Sequence, residues 1–554
     1  MAGVTVAAML VPQAMAYALL AGLPPEIGLY AATVPVVVYA VLGTSRQLAV
    51  GPVAIVSLMT AAALGPVVEE SGADYLAVAA LLALMVGLIH LLLAAGRLGG
   101  LVNYLSHSVL VGFSAAAAVI IGFSQAKHLL GITVPRADHF LDTVVAVVSS
   151  LGDTHLLTLA LGTGALAILL ALKRLMPAAP AALVVVVAST GLVELMDLQA
   201  RGVRVVGDIP SVLPGFGLPT FSGGVVGSLL ASAAVITLVG FMESTAVSRV
   251  YARRHGYDID PNQELIGLGA ANVAAGLFGG YPVTGGFSRT AVNDSAGART
   301  PVASLVTAGL VLLTIAMFAP LLSSLPNAAL GAIIVAAVAG LVDIGEMRHI
   351  GRVKPSDLIG LVAAAGATLA LGIELGIGIA LAVSLLVVFV RMSRPHLAVL
   401  GAVPGTSHYR NIDRFPEVDT HRELLIVRVD AAVSFVNATR LKVDLLRKAN
   451  EGGAGVNAFV VDASGIGDMD AAGLDMLEGL VEALDQHGIM LHLADVKGPV
   501  RDVLHRSGLW ERLDGRIHPS VHDAVTSIAG GEALETGPNP AVDERTRPSA
   551  EALP

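Results

Sequence analysis

No cysteine occurs in the 554 residues, which excludes disulfides, thiolate zinc sites and a cysteine nucleophile. Aromatic residues make up 4% of the chain, with a single tryptophan, and charged residues only 14%. A soluble enzyme of this size carries about a quarter of its residues as Asp, Glu, Lys and Arg. There is no cationic excess, since 33 Lys and Arg stand against 43 Asp and Glu, so no nucleic-acid partner is expected. Neither a GxxxxGK[ST] phosphate loop nor HExxH is present. ATP-driven pumping therefore has no motif, and no cofactor or metal is expected.

What the chain has is apolar length: 55% of its residues are hydrophobic and the mean hydropathy is +0.77. Charge-poor stretches recur at 4–20, 27–42, 52–66, 74–95, 106–125, 155–175, 179–196, 224–242, 262–279, 302–323, 326–341, 357–371 and 373–390, with a short interrupted one at 287–296. These fourteen segments predict a multi-pass protein in the lipid bilayer, several of them shorter than a full span and broken by Gly or Pro. With a cytoplasmic N-terminus, the inner loops receive Arg46, Arg97, Lys173, Arg174 and most other basic residues, while the outer side receives only Lys127, Arg136, Arg201 and Arg204. That asymmetry satisfies the positive-inside rule and leaves both termini cytoplasmic. Residue 1 stands almost on the first apolar run without a basic flank, so it reads as a truncated or misassigned start rather than a signal sequence.

Two segments are interrupted in corresponding places. The third begins LAVGPVAIVS, with Gly51 and Pro52 at its start, and the tenth begins PVTGGFSRTAV, with Gly285 and Gly286 before Phe287, Ser288, Arg289 and Thr290. Pro suits a first helical turn and Gly lets the preceding backbone turn sharply. Third of seven and third of the next seven, they point to half-helices in an inverted-repeat transporter, whose free N–H groups and dipoles favour an anion. Arg289 agrees in sign, because a guanidinium at that depth must face a cavity or a partner. The structural alternatives are an ion pair of Arg289 with Glu243 or Asp294, and glycines that are only packing kinks.

Glu243 ends the apolar run GSLLASAAVITLVGFME; a carboxyl there can carry a proton or a cation across. Its alternative is a water-line pair with Arg249. Gln13, after Pro12, and Tyr17, one turn later on the same face, can donate to an anion without adding charge, or can simply bond neighbouring helices. His90, His107 and His128 show no metal-ligand spacing.

From about residue 405 the pattern changes. LLIVRVD (424–430), AFVVDAS (458–464) and IMLHLAD (489–495) read as strands, with helices over 474–488 and 498–506. An α/β domain over 405–530 follows from this alternation, and a polar, Pro-rich stretch over 531–554 is expected to be a disordered tail. Asp462, Asp468 and Asp470 stand before a helix, where acids are ordinarily caps rather than Mg²⁺ ligands.

The chain is similar to the SulP family, the sulfate permeases whose animal members are the solute-carrier anion exchangers and prestin. The resemblance rests on PQAMAYALLAGLPPEIGLY (12–30), GTSRQLAVGPVAIVSLM (43–59), YDIDPNQELIGLGAANVAAGLFGGYPVTGGFSRTAVN (257–293) and VVDASGIGDMDAAGLDML (460–477). It implies an all-α membrane part over 1–395, with fourteen transmembrane segments in two inverted seven-segment repeats forming core and gate domains, followed by a cytoplasmic α/β STAS domain. It also implies an elevator-like motion and a homodimer. Gln13 and Tyr17 match residues bordering the anion site, Val53 and Ala54 the start of segment three, and Phe287, Ser288 and Arg289 the start of segment ten. Glu243 matches an acidic position tied to ion coupling. Ala471 and Ala472 stand where signalling STAS proteins carry a phosphorylatable serine, which puts phosphorylation of that loop in doubt.

The expectation is a secondary active transporter of small anions in the cytoplasmic membrane. Sulfate leads, bicarbonate and C4-dicarboxylates are open, and coupling is to H⁺ through Glu243, with Na⁺ second. Two other readings are a membrane-anchored protein whose STAS domain recruits a cytoplasmic partner, and a nucleobase permease, which Arg289 disfavours.

Overall fold

The computed structural model describes residues 1–100, 107–134, 140–176, 180–219, 223–453, 455–529 and 536–538. The chain clusters into two compact units, Met1–Leu385 and Leu386–Pro554.

The first unit is helical: α1 Ala2–Leu20, α2 Pro25–Ala31, α3 Val34–Leu42, then the short strand β1 Val50–Gly51, α4 Ala54–Ser71, α5 Tyr75–Ala95, α6 His107–Ser124, α7 Ala126–Leu130, α8 Phe140–Ser149, α9 Leu156–Leu175 and α10 Ala181–Met196. Next come α11 Gly223–Arg254, α12 Pro261–Leu277, strand β2 Thr284–Gly285, α13 Phe287–Ser295, α14 Val302–Phe318, α15 Asn327–Val338, α16 Ile344–Val353, α17 Pro355–Leu371 and α18 Ile373–Ser393, whose residues from 386 on fall in the second unit. Each apolar stretch read from the sequence falls on helix, and nine helices among the described residues are long and apolar enough to cross a membrane. Two expectations change. Segment 27–42 is two helices, with Pro35 near the start of the second. Helix α11 runs on to Arg254, so Glu243 lies inside a helix rather than at its end.

Two apolar cores hold this unit. One gathers α3, α4, α5, α11 and α12 around Leu82, Val86, Leu265 and Phe241; the other gathers α1, α9, α10, α14 and α15 around Met15, Val185, Val311 and Leu330. Between α5 and α12 the backbones meet directly, since a Cβ on Gly87 would stand 2.5 Å from the Val273 amide nitrogen. Only a residue without a side chain permits that approach, the usual device of membrane helix packing.

The second unit is one sheet with helices on both faces. Its elements are β3 Leu397–Ala402, β4 Tyr409–Asn411, β5 Asp419–His421, β6 Leu424–Val429, α19 Ala438–Glu451, β7 Ala458–Asp462, α20 Ala471–Asp485, β8 Met490–Ala494, α21 Gly498–Ser507, α22 Leu509–Arg512, β9 Ile517–His518, α23 Val521–Ile528 and β10 Thr536–Pro538. The order is β10-β5-β3-β6-β7-β8-β9, with β4 on β3. Strands β6 to β9 are parallel, and β3 joins β6 antiparallel. One face packs on α19 to α22 and the other on α23. The sheet thus begins at Leu397, before the boundary expected at 405. The expected tail lies outside the described residues except for Thr536–Pro538, which pair with β5 and are not structureless.

Candidate functional site

The two interrupted segments meet. β1 and β2 form an antiparallel ribbon with Val50 opposite Gly285 and Gly51 opposite Thr284, and α4 and α13 start within three residues of its ends. Neither helix has a side-chain cap: Val53 and Gly286 occupy the N-cap positions and offer no side-chain acceptor to the first-turn N–H groups. The first-turn N–H groups and the positive end of each dipole are therefore left for another partner. Helix α1 packs against both.

Arg289, in the first turn of α13, is 2% exposed. It donates through Nη1 to the Pro52 carbonyl and through Nη2 to the Ala49 carbonyl at 3.5 Å, and so ties its own helix to the entry of α4. Its buried Nε finds no hydrogen-bond partner among the described residues. Two glycines make room. Gly51 has φ +150°, a conformation that side chains disfavour, and a Cβ on Gly286 would stand 2.9 Å from Arg289 Nη2. Among the described residues no ion pair joins Arg289 to Glu243 or Asp294; Asp294 is held by Arg254 at 3.0 Å and His255 at 2.5 Å.

The ribbon is fastened from behind, mostly by residues that no sequence signal marked. On α12, the fully buried Glu264 accepts from the Tyr39 hydroxyl at 2.7 Å, from Thr44 N and Oγ1 at 2.7 and 2.6 Å, and from Ser45 N at 3.2 Å. Two turns on, Asn272 accepts from Val283 N at 2.9 Å and donates to its carbonyl at 3.0 Å. One helix thus anchors the chain entering both strands. From α11, Ser244 Oγ accepts from Gly285 N at 2.8 Å, and Thr284 Oγ1 donates to the Gly240 carbonyl at 2.7 Å. Thr290 and Asn293 of α13 close the frame, the first accepting from Ala49 N at 3.1 Å and the second donating to the Gln47 carbonyl at 2.9 Å.

The other expected site residues divide. Tyr17 and Glu243 lie within electrostatic reach of the Arg289 guanidinium. Tyr17 is 5% exposed and shares an apolar cluster with Ala54. Glu243 has a buried Oε2, and Gln13 a buried Oε1, without a hydrogen-bond partner among the described residues. Val53 is buried at the α4 N-cap. Phe287 and Ser288 are not gathered into this buried set. Both are exposed, and the Phe287 ring leans on Tyr251 with centroids 6.4 Å apart. Elsewhere, Asp470 caps α20 through Gly473 N at 2.8 Å and also accepts from Phe435 N at 2.8 Å, which is the capping role.

The sequence model described as the sulfate permease family matches residues 1–364, and that of the STAS domain matches 415–524. A relative described as a probable sulfate transporter of Mycobacterium tuberculosis, MT1781, is 39% identical over 529 residues, 95% of this chain and 94% of its own. The structure of the murine Solute Carrier 26 member A9 anion transporter in the inward-facing state superposes with a TM-score of 0.87 at 25% identity, covering 95% of this chain and 90% of that one. The transmembrane domain of the cyanobacterial bicarbonate transporter BicA gives a TM-score of 0.60 at 25% identity, covering 69% of this chain and 95% of that one.

Proposed function

The chain belongs to the sulfate permease family, and from that premise we propose that its membrane unit is a secondary active transporter of small anions, sulfate first. The observation that carries the reading is the β1–β2 ribbon: it holds two uncapped helix starts together with a buried guanidinium. Two positive dipole ends and a fixed cation attract an anion in a low-dielectric setting where each is worth more than in water. The relatives' names support sulfate, and bicarbonate stands second because BicA shares the fold.

Tyr17 and Gln13 on α1, with Val53 and Ala54, line the anion's side of α4, while Phe287 and Ser288 form the open approach at α13. Glu243 carries the coupling ion, H⁺ before Na⁺, because its carboxyl lies within reach of the same guanidinium. The anion crosses by an elevator motion of core against gate, in a homodimer of the cytoplasmic membrane with both termini inside, and the STAS domain engages a cytoplasmic partner. The test is uptake of labelled sulfate, bicarbonate and succinate into proteoliposomes, each with and without Na⁺ and pH gradients. Sulfate accumulation driven by an inward proton gradient supports the reading. Uptake of none of the three overturns it.

A further inference from the structure

The sequence reading leaves residues 342–356 as a polar link between two apolar segments, and the structure folds most of that link into α16. Asp343 caps the helix, accepting from Glu346 N at 2.9 Å. At the other end Pro355 disfavours a helical residue before it, and Lys354 is extended, with φ −152° and ψ 100°. A charged three-turn helix that closes one apolar helix and precedes the next lies at a surface of the bilayer.

Its two faces differ. Ile350 is buried, and a Cβ on Gly351 would stand 3.7 Å from Leu358 Cδ2 of α17. Glu346, one turn before Ile350, places Oε1 3.0 Å from His107 Nε2 at the start of α6. The opposite side is a stripe of Ile344, Arg348 and Arg352, each one turn from the next, with His349 and Val353 alongside and Lys354 after them, all exposed. The stripe is about 12 Å long.

Charge is sorted between these faces. Asp343 is used as the cap and Glu346 is held at His107, while Arg348, Arg352 and Lys354 have no partner among the described residues. The cations are flanked by apolar groups that water does not favour, since Ile344 is 54% and Val353 69% exposed. Apolar exposure resumes on α17 at Ile359 and Val362, where a membrane helix meets lipid. Long basic side chains at such a border lay their stems on apolar surface and hold their charge at headgroup level, and arginine forks match phosphate oxygens.

We propose that this stripe of α16 is a binding surface for anionic phospholipid headgroups, with Arg348 and Arg352 on the phosphate, Lys354 beside them, and Ile344 and Val353 against the first acyl carbons. A basic residue at an anionic membrane surface is worth about 1 kcal/mol, a factor of about five in affinity. The surface requires only that the helical unit sits in a membrane and is independent of which anion is carried.

The test uses the full chain carrying Trp510→Phe and Ile344→Trp, so that its one tryptophan stands on the stripe. Its fluorescence is read in phosphatidylcholine nanodiscs with rising fractions of dibrominated phosphatidylglycerol or dibrominated phosphatidylcholine. Both lipids should quench, the phosphatidylglycerol at a mole fraction about fivefold lower. Adding Arg348→Gln/Arg352→Gln should make the two lipids equivalent while quenching by phosphatidylcholine persists, which shows the helix still at the bilayer. Leu313→Trp, on the exposed side of α14, should be quenched equally by both in the Trp510→Phe background. Equal quenching at Ile344→Trp, or a phosphatidylglycerol preference that survives the double substitution, overturns the proposal. Quenching by neither lipid also overturns it, because protein rather than lipid then covers the stripe.

Discussion

The Arg289 side chain reaches the carbonyl of Pro52, 237 residues earlier in the chain, and by doing so joins the starts of two helices from opposite halves of the membrane unit. The join depends on the absence of side chains around it. Replacing Gly286 by Ala places a Cβ 2.9 Å from Arg289 Nη2, closer than real contacts allow, so the guanidinium must move. Sulfate uptake by Gly286→Ala should fall about tenfold, because an ångström-scale displacement of a binding group is costly, while membrane expression stays near wild type. Kinetic constants like those of the parent protein would show that the guanidinium's position does not matter.

Glu264 should act through the ribbon without touching an anion. Gln at this position keeps the shape but turns an amide toward donors that need an acceptor, with an expected loss of about 2–4 kcal/mol. The measurement is thermal unfolding in detergent together with uptake. A melting temperature lowered by several degrees, with uptake reduced in parallel, is expected, and an unshifted melting curve would contradict the anchoring role.

Glu243→Gln separates transport from coupling. If this carboxyl carries the proton, the variant loses stimulation by an acidic exterior but continues to exchange labelled for unlabelled anion across the membrane. Undiminished stimulation by the pH gradient would remove Glu243 from the mechanism.

The soluble unit should weaken in acid. His492 and His518 are buried, with Nδ1 and Nε2 3.0 Å apart. Burial, the neighbouring His518 and Arg516 push His492 down to about 4, and burial lowers His518 against a smaller opposing pull from Asp523. Both rings are neutral when folded and titrate near 6.5 when unfolded. The unfolded chain therefore binds more protons below that value, and stability is flat above pH 7 and declines as pH falls from about 6.5 toward 4. A loss of about 1–2 kcal/mol between pH 7 and 5 is expected from the pair. Trp510, the single tryptophan, lies in this unit, so its fluorescence during denaturant unfolding of the full chain reads the effect directly. His492→Gln should reduce the acid sensitivity.

Much of this arrangement was legible in the sequence. Apolar stretches and Gly/Pro interruptions are local signals, and they mark the starts of α4 and α13 and single out Arg289. Glu264 was invisible for the opposite reason. Four residues after the capping Asp260 it looks like an ordinary first-turn acid, and its partners Tyr39 and Thr44 lie more than two hundred residues away. Asn272 was hidden in the same way. The length of α11 was underread because Glu243, Arg249, Arg253 and Arg254 end the apolar run while the backbone stays helical. Helix α19 was missed because its charged face outweighs the buried Leu441 and Leu445. The short strands β4 and β5 hold only three residues each, too few for a two-residue alternation to show.

If Arg289 holds an anion at the joined starts of α4 and α13, its loss must lower affinity, and equilibrium binding of ³⁵S-sulfate to purified protein reads that loss. Arg289→Ala should bind at least about tenfold more weakly than wild type, a loss of about 1.4 kcal/mol or more. Arg289→Lys should not restore affinity, since one ammonium cannot reproduce the planar fork that spans the Pro52 and Ala49 carbonyls. Equal sulfate affinity in wild type and Arg289→Ala would contradict the claim.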